Sequence, residues 1–219
     1  MDERSRESAL EGIGALSDPA RRRLYEYVGS RDLPVGREEA ATATGMSRSL
    51  AAYHLDRLAE AGLLETSYAR EDGRTGPGAG RPAKRYVRSR AETTVSVPER
   101  DYRLLAHLLT DAVAADSTGH LRDALLTAAE TEGRRSARPE TDLLDDLRDR
   151  GYEPAVAEND EIVLRNCPFH HLAQRHADVV CSVNHALLRG VLAGHDDDPE
   201  RAELVPPEPH CCVVVRPAS

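Results

Sequence analysis

The sequence predicts an α+β protein in two parts, and three observations carry that prediction. Residues 1–92 read as helices separated by capping signals and closed by a basic hairpin, residues 98–219 alternate leucine-rich helices with short strands, and all four cysteines fall after residue 166. At 219 residues the chain is long enough for two modest domains, each with its own core. With no Trp and one Phe, those cores must be built from Leu, Val and Ala.

The elements follow from periodicity and breakers. Leu10, Ile13 and Leu16 stand at helical spacing in a first helix over 5–16. Asp18 before Pro19 is an N-cap and first-turn pair that opens a helix through Leu24 and Val28. A turn over 33–36 precedes a short helix over 37–44. Gly45 and Met46 turn the chain, Ser47 caps a helix running to about Ala61, and Gly62 stops it. Residues 63–69 and 85–89 read as antiparallel strands around a Gly/Pro/Arg-rich tip. Helix, helix, turn, helix, hairpin is the order of a winged helix-turn-helix.

Beyond a boundary near 90–98, Leu104, Leu105, Leu108, Leu109 and Val113 make a stripe wide enough for a partner helix. Helices over 121–134 and 142–150 come next, divided at Pro139. Short strands over 152–157 and 161–165 flank the turn Asn159-Asp160. A long, interruptible helix over 170–192, an acidic Pro-rich stretch over 196–209 and a terminal strand over 211–215 complete this half.

The net charge of −9 is unevenly distributed. Residues 1–90 are net +2 and the remainder net −11, while 70–90 alone carry seven basic and two acidic side chains. A local basic surface on an acidic chain is compatible with DNA, because phosphate contacts depend on the local field. The segment GMSRSLAAYHLDRLAEAGLLE splits as a recognition helix must. Ala51, Leu55 and Leu58 turn inward and Met46 and Leu63 seal the ends, leaving Arg48, Ser49, Ala52, Tyr53, Asp56 and Arg57 outside. Arg48 suits guanine O6/N7, whereas Ser49, Tyr53 and Arg57 suit phosphates. In GRPAKRY, Arg81, Lys84 and Arg85 sit where a wing meets the backbone or minor groove, with Gly76, Gly78 and Gly80 permitting close approach. The candidate contact set is Ser47, Arg48, Ser49, Tyr53, His54, Arg57, Arg81, Lys84 and Arg85, although His54, like His107 and His120, also reads as an ordinary helix-face residue.

Residues 10–90 resemble the winged helix-turn-helix of ArsR-like and DeoR-like regulators, above all through SRSLAAYHLDRLAEAGLLE and GRPAKRYV. That resemblance implies a homodimer on a pseudo-palindromic double-stranded operator, which suits the leucine-rich helix after Pro98.

The second half contains NCPFHHLAQRHADVVCSVNHALLRG and ends in PEPHCCVVV. Cys167 and Cys181 are separated by thirteen residues, and Cys211 and Cys212 follow after twenty-nine more. Cys181 and His185 fall one turn apart on one helical face. Thiolates with imidazoles suit zinc, iron–sulfur clusters or Cu(I). The alternative is that Cys167, Cys181 and Cys212 are small buried apolar residues, and thiol oxidation is a third possibility. The arrangement resembles the C-terminal domain of SufR-type iron–sulfur regulators, which share the NCPF opening and a late Cys. The resemblance implies a cluster-binding repressor with Cys167, Cys181 and Cys211 as ligands and Cys212 as the alternative to Cys211. It also implies a further cysteine between 181 and 211, absent here, so His185, His195 or His210 would complete the set or leave an open iron.

Other classes find little purchase. Catalysis would need a phosphate loop, nucleophile elbow, HExxH or clustered carboxylates, and Asp145-Asp146 and Asp196 to Asp198 read as solvated runs. A small organic effector bound in the second domain, without metal, is the remaining rival. No apolar run approaches the length of a membrane span and the N-terminus has no signal-like apolar stretch, so no membrane partner and a cytoplasmic location are expected.

Overall fold

The computed structural model describes residues 3–69, 82–98, 100–206 and 211–218. The chain divides into two compact units, 1–100 and 101–219.

In the first unit α1 (Glu3–Ala15) precedes α2 (Pro19–Gly29), whose start is set by Asp18: its carboxylate accepts from the amides of Ala20 and Arg21 at 2.8 and 3.1 Å. These bonds satisfy amides that the helix itself leaves unpaired. After β1 (Val35–Gly36) come α3 (Arg37–Thr44) and α4 (Arg48–Glu60). Gly45 joins them in the left-handed conformation, and the Ser47 hydroxyl caps α4 by accepting from the Leu50 amide at 3.3 Å. β2 (Leu64–Ala69) and β3 (Ala83–Arg88) form the hairpin. The sheet order is β1-β3-β2, with Tyr86 opposite both Val35 and Thr66. The strand β1 replaces the turn expected over 33–36; two residues in extended conformation carry too little pattern to read locally. Leu24, Val35, Ala51, Leu55, Leu58 and Tyr86 are fully buried at the centre.

In the second unit α5 (Tyr102–Ala115), α6 (His120–Ser136) and α7 (Leu143–Asp149) precede β4 (Pro154–Val156) and β5 (Ile162–Leu164). α8 (His170–Gly194) follows, then a 3-10 turn (Pro199–Arg201), β6 (Ala202–Leu204) and β7 (Val213–Val215). The sheet is antiparallel in the order β4-β5-β7-β6. The stretch read as acidic and Pro-rich also supplies an edge strand, because Ala202 to Leu204 pair with β7.

α8 is the axis of this unit, packed on α6 and across β6 and β7. Its approach to α6 is backbone to backbone. A Cβ on Gly190 would lie 2.0 Å from the Glu130 carbonyl oxygen, and one on Gly133 2.1 Å from that of Leu187. Leu147, Tyr152, Leu164, Leu188, Val213 and Val215 fill the space beneath. Asp146, expected on a solvated face, is 1% exposed: it accepts from Arg138, Arg150 and His195, the last at 2.9 Å. Among the described residues no helix is long and apolar enough to cross a membrane.

Candidate nucleic-acid interface and thiol centre

The expected division of α4 is present except at Ala52 and Asp56, which are half-buried. Ala51, Leu55 and Leu58 are fully buried against the scaffold, whereas Arg48, Ser49, Tyr53 and Arg57 are exposed. Arg48 and Arg57 pair with Glu38 and Glu60 at 3.1 and 2.8 Å. Exposed pairs of this kind contribute about 0–1 kcal/mol, so both guanidinium groups can exchange partners at little cost.

Asp56 joins the helix to the hairpin. Its carboxylate accepts from Lys84 Nζ at 2.6 Å, Tyr86 Oη at 2.7 Å and Arg37 Nη2 at 2.9 Å. Burial works against the charged carboxylate. Hydrogen bonds from Lys84 and Tyr86 and the charge of Arg37 more than offset it, so the Asp56 pKa lies below its ordinary value. Burial and the Asp56 bond push the Tyr86 hydroxyl up to about 12. Asp56, read from the sequence as a solvent-facing residue, thus ties α4 to β3 and α3.

Four of the residues expected at DNA are buried or engaged within the protein. His54 is 7% exposed and faces the interior, because it occupies the same helical side as Ala51, Leu55 and Leu58. Lys84 is committed to Asp56, and its side chain is 23% exposed. Arg85 bonds the Pro34 carbonyl and lies 3.9 Å from Glu39. Ser47 uses its hydroxyl as the helix cap. Arg81 and Gly76, Gly78 and Gly80 lie outside the described residues. An open cleft of about 790 Å³ separates Arg48 and Glu38 from Tyr68, Lys84 and Arg85.

The second site is built from the thiols. Cys167 follows β5, Cys181 lies on α8, and Cys211 and Cys212 lead into β7. Main-chain bonds hold the last pair, from the Cys211 amide to the Leu164 carbonyl and from the Val205 amide to the Cys212 carbonyl, both at 2.9 Å. The thiols form a contiguous chain: Cys211 meets Cys167 and Cys212, and Cys212 also meets Cys181. Cys211 and Cys212 are buried and the other two half-buried. Hydrogen bonds from Cys167 and Cys212, with further ones from the Val213 amide and Asn184, lower the Cys211 pKa against its burial. Cys167 and Cys212 move upward, first through donating to Cys211 and then through burial.

Asn184 is the residue that sequence reasoning missed. It is fully buried, accepts from Tyr152 Oη at 2.6 Å and donates to Cys211 Sγ at 3.1 Å. Its signal was legible: an amide between Val180 and Leu188 at four-residue spacing interrupts an apolar face, and a buried amide requires partners.

The donor chemistry fits a thiophilic ion or cluster, since four thiols suit tetrahedral zinc or an iron–sulfur core. Among the described residues no three His, Cys, Asp or Glu side chains are already arranged as a metal-holding group, so the sulfurs would have to close around an ion. The histidines expected to assist are engaged elsewhere. His185 bonds the Ala202 carbonyl at 2.9 Å and fastens α8 to β6, and His195 is paired with Asp146. His210 lies outside the described residues.

A four-helix unit with a β-hairpin and an exposed, Ser-capped fourth helix, α4, defines a helix-turn-helix domain of the winged kind. Comparison with family models agrees: one described as a helix-turn-helix domain matches residues 16–67, from the residue after α1 into β2. The match supports a DNA-binding regulatory role for this part of the chain. No curated protein and no solved structure matches the chain.

Proposed function

We propose that this chain is a sequence-specific transcriptional repressor that binds a double-stranded operator as a homodimer and responds to an iron–sulfur cluster, or to zinc, held by Cys167, Cys181, Cys211 and Cys212. The observation that carries the DNA-binding part is the exposed row Arg48, Ser49, Tyr53 and Arg57 on a helix whose opposite face is buried. Arg48, in the first turn, is placed to read a base edge, and the other three suit phosphates.

Support for a dimer comes from α5, where Leu104, Leu105, Leu108 and Leu109 are each more than half exposed. A contiguous apolar face of this kind on a helix is what a second copy would cover. A cluster or ion stabilising one dimer geometry would change operator affinity by its differential binding energy. Bound, it would supply a redox- or metal-dependent crosslink among β5, α8 and β7. The thiol–thiol contacts also favour a second reading, in which oxidation of the thiols themselves provides the switch.

The test is anaerobic purification followed by metal and sulfide analysis and by operator selection from random duplexes. A selected sequence with two half-sites, bound differently by loaded and stripped protein, is the expected result. Metal-free protein whose selected operator affinity is insensitive to iron, zinc and oxidant would overturn the sensing part. Failure to enrich any sequence would overturn the DNA-binding part.

A further inference from the structure

A second cluster of ligating side chains lies apart from the thiols, where α5 packs on α8. His107 and Asp111 stand one turn apart on α5, and His171 and His176 on α8. The ring of His107 lies 5.9 Å from that of His171 and 5.8 Å from that of His176, centroid to centroid. His176 Nε2 lies 3.3 Å from Asp111 Oδ1, and Arg175 Nη2 stands 3.6 Å from the other carboxylate oxygen.

Two features mark this as more than a chance meeting of helices. The first is an unmet demand for a partner. His176 is 7% exposed and its Nε2 makes no hydrogen bond, and the buried Nδ1 of His107 makes none either. Buried polar atoms are almost always satisfied, so one imidazole nitrogen without a hydrogen-bond partner, and a second met only by a poorly aligned contact to Asp111, point to a missing acceptor of lone pairs. The second is the backbone. Residues five apart on a regular helix are rotated by about 140°, so His171 and His176 could not both face one point. At His176, however, the backbone leaves helical geometry (φ −134°, ψ 46°), and both rings come to His107.

We propose that His107, Asp111, His171 and His176 form a binding site for a divalent transition ion of borderline softness, such as Zn²⁺, Co²⁺ or Ni²⁺. Three imidazoles and one carboxylate are the ligand types these ions take, and the donor set contains no sulfur. As no group among the described residues is already arranged around an ion, binding closes the site by ring rotation, with Asp111 Oδ1 turning to the metal while Arg175 keeps Oδ2. Occupancy ties α5, with its exposed leucine face, to the helix that carries Cys181.

The test is a Co²⁺ titration of the reduced full-length protein followed by visible absorption. Thiolate ligands give intense sulfur-to-cobalt charge transfer, whereas imidazole and carboxylate give only weak ligand-field bands, so the two sites separate by spectrum. The expected result is one equivalent binding without the charge-transfer band, weakened at least about tenfold in His107→Gln and in Asp111→Asn. The helical signal in far-ultraviolet circular dichroism should be unchanged in both variants. His176→Gln should abolish binding, and the two α5 variants decide the matter if it does not fold. Absence of any component lacking the charge-transfer band, or its persistence in both α5 variants, overturns the proposal. Wild-type protein that shows the weak ligand-field bands and no charge-transfer band would count against the thiol reading and support this one.

Discussion

Asn184, fully buried on α8, donates its amide to the sulfur of Cys211 at 3.1 Å while accepting from Tyr152 at 2.6 Å. One amide thereby orients the central thiol and satisfies a buried hydroxyl. In Asn184→Leu the Tyr152 hydroxyl loses its acceptor, which should cost about 1–3 kcal/mol in urea unfolding. Affinity for the proposed metal or cluster should fall about ten- to a hundredfold, as is typical when an orienting partner is removed. Unchanged affinity with reduced stability would make Asn184 a purely structural residue.

Gly190 and Gly133 set the distance between α6 and α8. Since a Cβ on Gly190 would stand 2.0 Å from a carbonyl oxygen, Gly190→Ala must push the helices apart. A loss of about 3 kcal/mol or more is expected, at the upper end of overpacking costs. Urea denaturation with separate probes of the two units should place that loss in residues 101–219.

Asp146 predicts an acid response of the same unit. Burial opposes its charge, but hydrogen bonds from His195 and Arg150 prevail and hold its pKa at about 2. The folded pKa is depressed, so the stabilisation is complete above the unfolded value near 4 and is lost as pH falls towards 2. It amounts to about 2 kcal/mol, at 1.36 kcal/mol per pH unit. Stability measured between about pH 6 and 2 should decline through this window, and Asp146→Asn should flatten the decline while lowering stability at neutral pH.

Arg48 and Lys84 should separate reading from anchoring. Arg48→Ala should weaken operator binding by about 1–3 kcal/mol and relax preference at one base pair. Lys84→Ala, in contrast, removes one of the three partners of Asp56. It should lower the stability of the first unit by about 1–2 kcal/mol and leave the slope of affinity against salt nearly unchanged. A slope reduced by about one for Lys84→Ala would show that Lys84 leaves Asp56 for a phosphate in the complex.

The leucine face of α5 predicts its own test. Leu108 is 57% exposed, so Leu108→Glu should preserve the fold of the chain while converting the proposed dimer to a monomer in sedimentation equilibrium. Dimers persisting in Leu108→Glu and Leu104→Glu would move the interface elsewhere.

Much of this architecture was legible in the chain because its signals are local. Asp18-Pro19, Gly45, Ser47 and Gly62 punctuate the first unit by bonds and dihedral angles that involve only near neighbours. The inward and outward faces of α4 follow from helical period alone. What escaped was non-local. No periodicity reveals that Lys84 crosses to Asp56, that Asp146 is enclosed by Arg138, Arg150 and His195, or that β6 pairs with β7.

The sequence by itself determined the helix boundaries, the exposed row on α4 and the presence of four thiols in one half, because caps, breakers and side-chain spacing act within a few residues. Tertiary structure alone decided which of those thiols meet, which histidines are engaged by other groups and which acids are buried. Those outcomes depend on packing between distant segments, where a glycine-thin contact between α6 and α8 and a break at His176 set positions that no local rule encodes.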